Sequence, residues 1–309
     1  MSFAAQERAL FDLLFDRTRR ARFRDDPVAA LSAYDLTAEE RADFSVLRAD
    51  ALELDAGMRT GLILAQFCRG LPLSFSLVSS LPEGLQRLRA LIDVETMRTP
   101  PLERLTAFGV RLRDGLRADT AAFASARDQA LVLSVVEAEL GMVWTACARK
   151  QAWLEAGRAA ALVAPVPADW PQRPLVMADF VSAALLPQPY AVLKEALCPC
   201  TGAALWRHLG KEPFTEARRL ALFRQPSLRL LVARAELVTP SRCEPQTEHV
   251  TVELPEGFAR LLPHLDGTTP VSAVLAQLQA AGAQASVLDG VQGGFLQLLQ
   301  NGMATIPSA

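Results

Sequence analysis

Apolar residues recur at helical spacing through the first half of the chain. This periodicity predicts a succession of helices between residues 3 and 160, one of them started by the capping box Thr37-Ala38-Glu39-Glu40. The longest helical pattern runs from Asp119 to Ala160, and its length predicts a break near Arg127-Asp128. No alternating pattern typical of a strand occurs before residue 160. Residues 1–163 are therefore predicted to form an all-α helical bundle.

A proline-rich stretch follows the helical half and predicts a linker at residues 164–175. Beyond it, short helical patterns are predicted at Ala178–Leu185, Pro189–Leu197 and Gly202–Leu209. Residues 176–309 are predicted to form a second, smaller α+β domain.

The strand patterns of this second domain lie in its last part, at about residues 226–309. An apolar run at Leu228–Leu237 predicts one strand, and the alternation of Val250, Val252 and Leu254 predicts its partner at Glu248–Leu254. The sequence then predicts a helix at Glu256–Leu262 and a turn at Asp266–Thr269. Two further helices are predicted, one that begins at Pro270 and one that follows Gly282. The predicted fold is mostly α: a helical bundle followed by a winged-helix-like unit.

The charge of the winged-helix-like unit bears on its ligand. From Pro245 onwards the one Lys or Arg is Arg260, against five acidic residues, which are Glu248, Glu253, Glu256, Asp266 and Asp289. Because cationic side chains supply most of the affinity for phosphates, this unit is predicted not to bind nucleic acid. An alternative stays open: a winged-helix DNA-binding transcription regulator in which the arginines of residues 17–24 contact phosphates. Those arginines are also explained by compensation of a helix dipole or by docking of an acidic partner.

Composition points to a soluble, cytoplasmic protein. The chain has 309 residues, is half hydrophobic and carries a formal net charge of −2. The start of the sequence lacks the basic and apolar regions of a signal peptide, and no apolar run is expected to span a membrane.

Few residues suggest catalysis. The three histidines, His208, His249 and His264, show no motif spacing, and neither a phosphate loop nor a nucleophile elbow is present. Cys198-Pro199-Cys200 with His208 and Cys243 is an alternative metal site, although its spacing is unlike common zinc knuckles. We expect no catalytic residue and no metal in this chain, and hence not an enzyme that acts alone.

Three glycines near the C-terminus leave one face of the last predicted helix without side chains. They are Gly290, Gly293 and Gly294. A bare face allows either close packing inside the domain or the approach of an extended peptide, which would add as a strand beside Glu248–Leu254. The candidate peptide-binding residues are His249, Thr251, Glu253, Asp289, Gly290, Gln292 and Gly293.

Several segments together resemble a known family. They are Arg22–Leu31 with Tyr34–Glu40, Leu73–Val78 with Pro100–Leu105 and Phe108, and Leu261–Pro270. The chain resembles the partner subunits of multinuclear non-haem iron enzymes in ribosomal-peptide pathways such as those to methanobactin and 3-thiaglutamate. The third segment is similar to the peptide-recognition winged helix of such pathways.

The resemblance implies a noncatalytic subunit of a heterodimer. It would bind the leader of a ribosomally made precursor peptide and present a cysteine near the peptide's C-terminus to the iron subunit. The iron is then expected in the partner subunit, with no cofactor in this chain. The resemblance carries no catalytic residue onto this sequence.

Overall fold

The computed structural model of the chain describes residues 3–157, 165–239 and 245–307. These residues form fifteen α-helices and six β-strands. The helices are α1 (Phe3–Phe15), α2 (Arg17–Asp25), α3 (Pro27–Leu31), α4 (Ala38–Ser45), α5 (Ala49–Gly70), α6 (Pro72–Ser79), α7 (Gly84–Ala90), α8 (Val94–Arg98), α9 (Arg104–Ala118), α10 (Ala126–Ala156), α11 (Tyr190–Leu197), α12 (Ala203–Lys211), α13 (Glu216–Leu222), α14 (Val271–Ala280) and α15 (Ala285–Gln300). The strands are β1 (Pro174–Met177), β2 (Val181–Leu186), β3 (Arg229–Thr239), β4 (Gln246–Pro255), β5 (Asp266–Pro270) and β6 (Ala304–Thr305). The fold is mostly helical with small antiparallel sheets, as predicted.

The chain divides into two compact units that each combine two stretches of sequence. Unit 1 comprises Met1–Gly115 and Pro199–Thr215, and unit 2 comprises Leu116–Cys198 and Glu216–Ala309. This division differs from the predicted one, which placed residues 1–163 in one domain and residues 176–309 in another. The structure groups α10 with the strands and groups α12 with the N-terminal helices.

In unit 1, capping side chains fix the starts of α2, α3, α4 and α8. Thr37 and Glu40 form the predicted capping box at the start of α4. In the core beneath α1, the buried carboxylate of Asp12 accepts hydrogen bonds from Tyr34 Oη at 3.0 Å and from Arg98 Nη2 at 2.9 Å. Burial, reinforced by the neighbouring Asp12 carboxylate, raises the pKa of Tyr34.

The long helix α10 belongs to unit 2 because one of its faces covers the sheet. It begins at Ala126, after the N-cap Ser125, close to the predicted break. It packs on β2 and β3, and Gly141 lies so close to β2 that a Cβ atom there would meet Ser182 Cβ at 3.2 Å. The apolar face that the sequence assigned to the N-terminal bundle is thus covered by strands.

By length and composition, α10 also has the dimensions of a membrane-spanning helix, contrary to the sequence prediction. An 18-residue window within it has a mean hydropathy of 1.6, and half of that window is buried inside the protein. The helices α5 and α6 are long and apolar enough to span a membrane only if they are taken together, and a bend of 117° separates them. Core helices of soluble proteins can have the same length and composition, and one face of α10 packs on β2, β3 and β4.

Two three-stranded antiparallel sheets lie in unit 2, with the orders β2-β3-β4 and β5-β1-β6. The strands β3 and β4 are the two that the sequence predicts, and they pair with Val232 opposite Val252. The strand β2 occupies the segment predicted as the helix Ala178–Leu185, so that prediction is wrong. Pairing with β3, from Val181 opposite Arg234 to Leu186 opposite Arg229, overrides the helical preference of its alanines and leucines.

The predicted linker is partly folded into the core of unit 2, which corrects that prediction for the described residues 165–175. Trp170 begins a 3-10 helix, Trp170–Gln172, and is buried together with Leu175 of β1. Both residues belong to the same apolar cluster as Phe295 and Leu298 of α15. A segment that contributes two buried side chains to the core does not separate two domains.

The C-terminal segment departs from its predicted elements in two places. A helix predicted at Glu256–Leu262 is instead a pair of short 3-10 helices, Glu256–Arg260 and Leu262–His264. The predicted turn Asp266–Thr269 is the strand β5, which pairs with β1 from Pro270 opposite Pro174. The helices α14 and α15 are present as predicted, and Gly282, at a φ of 87°, lies between them.

Candidate peptide-binding site

The strand β4 lies at one edge of its sheet. Within the described part of the chain it pairs with β3 alone, over ten residues, and β2 forms the opposite edge. In an antiparallel strand of this kind, every second residue directs its backbone N–H and C=O groups away from the neighbour. The outer edge of β4 therefore offers donors and acceptors to an added strand.

The two faces of β4 pack against different helices. Val252 and Leu254 are buried in the cluster that contains Phe295 and Leu298 of α15, and Val250 packs against the same cluster. Side chains alternate along a strand, so His249, Thr251 and Glu253 lie on the other face, where α10 contacts β4. Thr251 and Glu253 are exposed on that face.

His249 fastens β4 to α10. Its Nε2–H donates a hydrogen bond of 2.9 Å to the carbonyl oxygen of Met142, which fixes the tautomer of the imidazole. Burial lowers the pKa of His249, and the hydrogen bond to Met142 opposes that shift without cancelling it. The ring of His249 thus has a partner inside unit 2, and its predicted peptide-binding role stays a prediction.

On α15, the predicted site residues are accessible. Asp289, Gly290 and Gln292 are exposed and Gly293 is half-buried. A Cβ atom at Gly290 or Gly293 would have no atom within 4 Å. This part of the helix therefore has a bare, open surface.

Gly294 has a different neighbourhood from the other two glycines. A Cβ atom there would overlap Cε2 of the buried Phe258, whose ring packs on Phe295 with 4.9 Å between the centroids. Close packing inside the domain, one of the two explanations that the sequence left open, applies to Gly294. The other explanation remains for Gly290 and Gly293.

The seven predicted residues do not line one surface together. The three on β4 point to the side of the sheet covered by α10, whereas α15 packs on the opposite face. Towards α15, β4 directs Val252 and Leu254, and Val250 packs against the same cluster, whereas the backbone edge of β4 lies in the plane of the sheet. The alternation alone identified the two faces, but it did not show which helix covers which.

The alternative metal site is not assembled in the described residues. Cys198 and Cys200 are half-buried, as is His208 on α12, and Cys243 lies outside the described residues. No group of three or more His, Cys, Asp or Glu side chains suited to a metal ion occurs in the part of the chain that the structure describes. The nearby Tyr190 has its pKa raised by burial and, more weakly, by the charges of Glu139 and Cys198.

The site is therefore a strand edge beside a helix. It lies in a segment with five acidic side chains and one arginine. Comparison with protein-family models, with curated proteins and with solved structures finds no match for this chain.

Proposed function

We propose that this chain is the noncatalytic partner subunit of a multinuclear non-haem iron enzyme that modifies a ribosomally made peptide. It binds the leader of the precursor peptide and presents a cysteine near the peptide's C-terminus to the iron subunit. The iron resides in the partner, and the heterodimer acts in the cytoplasm. The resemblance of the sequence to such partner subunits motivates this proposal.

The observation that carries the proposal is the free outer edge of β4 beside α15. An extended peptide that adds to this edge gains main-chain hydrogen bonds along ten residues of strand. The open surface at Gly290 and Gly293 leaves room for a second chain along the helix. Main-chain pairing supports recognition of a leader whose side chains vary, while Val250 and the exposed side chains of α15 select among sequences.

The charge of the segment supports a peptide over a nucleic acid. From Pro245 onwards one arginine stands against five carboxylates, and β3 adds Arg229, Arg234 and Glu236, so the chain from β3 onwards keeps a net negative charge that disfavours a phosphate backbone. The same charge favours a leader with basic residues. A basic leader is expected to bind more tightly than an acidic leader of the same length. This difference in affinity should decrease as the salt concentration is raised.

Hydrogen exchange tests where the leader binds. The protein is incubated with and without the synthetic leader of a candidate precursor peptide. Alternate amides of β4 are expected to exchange quickly in the free protein and slowly in the complex. The outer edge of β2 is the internal control, because it lies on the same sheet and should not change.

Two results would contradict the proposed site. Slower amide exchange in β2, with no change in β4, would place the leader at the opposite edge of the sheet. A leader that binds without slowing any amide of β4 would exclude strand addition there.

A further inference from the structure

A basic cleft lies between α2 and α5 in unit 1. It has a volume of about 780 Å³. Four arginines and two carboxylates line it, namely Arg17, Arg20 and Arg24 of α2, Arg89 of α7, and Asp50 and Glu53 of α5. The described lining therefore carries an excess of positive charge.

Both carboxylates of the cleft already have arginine partners. Arg20 donates from Nε to Glu53 at 2.5 Å, and its Nη1 donates to two carbonyl oxygens at the end of α1. The buried Arg20 thus joins α1, α2 and α5, and it is a structural residue. Asp50 is paired with Arg48, a residue beside the cleft. Neither carboxylate is left to neutralise the other three arginines.

These three arginines, Arg17, Arg24 and Arg89, are exposed. Arg17 and Arg89 form no ion pair within the described residues, and Arg24 approaches only its exposed neighbour Asp25, at 3.5 Å. The guanidinium of Arg89 lies over the ring of Trp206, with 5.7 Å from Cζ to the ring centroid. This contact holds Arg89 in place and leaves the N–H groups at its edge available to a ligand.

The pKa of Glu53 reports the positive charge of the cleft. The hydrogen bond from Arg20 lowers this pKa, and although burial opposes the shift, the charges of Arg20, Arg17 and Arg24 lower it further. Compensation of the α2 dipole explains Arg24 in the last turn of that helix. It does not explain Arg17, which lies in the first turn, where the dipole disfavours a cation.

The cleft is elongated. Arg17 and Arg24 lie seven residues apart on one face of α2, which separates them by about 10 Å along the helix. The wall on α5 runs from Ala49 to Thr60, over about 16 Å. A Cβ atom at Gly57 in this wall would have no atom within 4 Å, so the cleft has room there. A single small anion cannot reach Arg17 and Arg24 together, whereas a chain with repeated negative charges can.

The lining favours a polypeptide over a nucleic acid. Asp50 and Glu53 lie in the wall and disfavour a continuous phosphate backbone, and none of the described lining residues is aromatic, as stacking of a base would need. A polypeptide can place acidic side chains at the arginines and neutral side chains at the two carboxylates.

We infer that the cleft between α2 and α5 binds an acidic segment of a partner protein, whose carboxylates pair with Arg17, Arg24 and Arg89. The planar guanidinium accepts a carboxylate through two parallel hydrogen bonds, which suits these arginines to the task. The inference is independent of the leader site, which lies in unit 2 and favours a basic peptide. Failure of one site therefore leaves the other untouched.

Binding of a defined acidic peptide tests the cleft. The probe is a short fluorescent peptide with glutamate at helical spacing, and its control has glutamine at the same positions. Fluorescence anisotropy should show binding of the glutamate peptide alone, with an affinity that falls as salt is raised. The double variant Arg17→Gln, Arg89→Gln should bind it about tenfold more weakly. Because both side chains are exposed, the circular dichroism of this variant should be unchanged.

The matched control is the double variant Arg8→Gln, Arg41→Gln. It removes the same charge from exposed positions of unit 1 outside the described lining of the cleft, and it should bind as wild type does. An equal loss of affinity in the two double variants would overturn the inference, and so would a glutamate peptide that does not bind. A single-stranded DNA oligonucleotide that displaces the peptide and binds more tightly would assign the cleft to nucleic acid instead.

Discussion

The imidazole of His249 on β4 donates its Nε2–H to the carbonyl oxygen of Met142 on α10, at 2.9 Å. This bond ties the edge strand of the sheet to the helix that covers the sheet's other face. It also uses a side chain that the sequence offered as a peptide ligand. The position of β4 is thus fixed from the side of α10, and in the described residues no other strand pairs with its outer edge.

The protonation of His249 should make the stability of unit 2 depend on pH. Burial lowers its pKa in the folded protein below the unfolded value, so between these two values the unfolded chain binds more protons. The contribution to stability is complete above the unfolded pKa and is lost as the pH falls towards the folded pKa. Urea unfolding at several pH values around and below the ordinary histidine pKa should show this loss.

The control for that experiment is His249→Gln, which keeps a side-chain N–H but does not titrate. The difference between wild type and this variant should shrink as the pH is lowered, because only the wild type loses stability through residue 249. Parallel curves for the two proteins would show that His249 does not respond to pH.

Neighbouring glycines on α15 should respond oppositely to alanine. In Gly294→Ala the new methyl group runs into the ring of Phe258, and we expect a loss of about 1–3 kcal/mol in the free energy of unfolding. In Gly290→Ala the methyl group meets no neighbour, and the better helix propensity should add up to about 1 kcal/mol. Chemical denaturation of both variants checks the pair. Equal effects would mean that Gly294 has more space than the structure gives it.

A buried ion pair joins α13 to the first turn of α10. Arg219 donates from Nε at 3.1 Å and from Nη2 at 2.8 Å to the two carboxylate oxygens of Asp128, and both residues are almost fully buried. Because removing the Asp128 carboxylate leaves the charge of Arg219 buried, Asp128→Ala should lower the free energy of unfolding by about 3–5 kcal/mol.

The matched control for this ion pair is Glu137→Ala. Glu137 also lies on α10 and pairs with Arg117, but both side chains are largely exposed. Its loss should stay within about 1 kcal/mol in the same urea experiment. A similar loss of unfolding free energy in the two variants would show that burial does not increase the contribution of the Asp128–Arg219 pair to stability.

Some elements could be predicted correctly from residues that lie close together in the sequence. The capping box at Thr37 places the start of α4, and the alternation around Val252 identifies β4 and its apolar face. The limit on helix length predicts the break near Asp128, and in the structure α10 begins there, after the N-cap Ser125. In each of these cases the deciding residues lie within a few positions of one another.

The missed elements depend on partners that are distant in sequence. The strand β2 has the composition of a helix, and only β3, about fifty residues later, makes it a strand. The strands β1 and β5 are short and include prolines, and each becomes a strand by pairing with the other. For the same reason the sequence did not show that α10 covers the face of β4 that carries His249.

The most direct test of the proposed function is co-purification. The tagged protein is co-expressed with the products of its neighbouring genes, among them any candidate iron protein and precursor peptide, then purified and analysed by gel filtration and iron analysis. The proposal expects one complex that contains both chains and the peptide, with the iron in the second chain and the peptide lost when its leader is deleted. A protein that elutes without the iron chain, and that binds the precursor no better than the leaderless peptide, would contradict it.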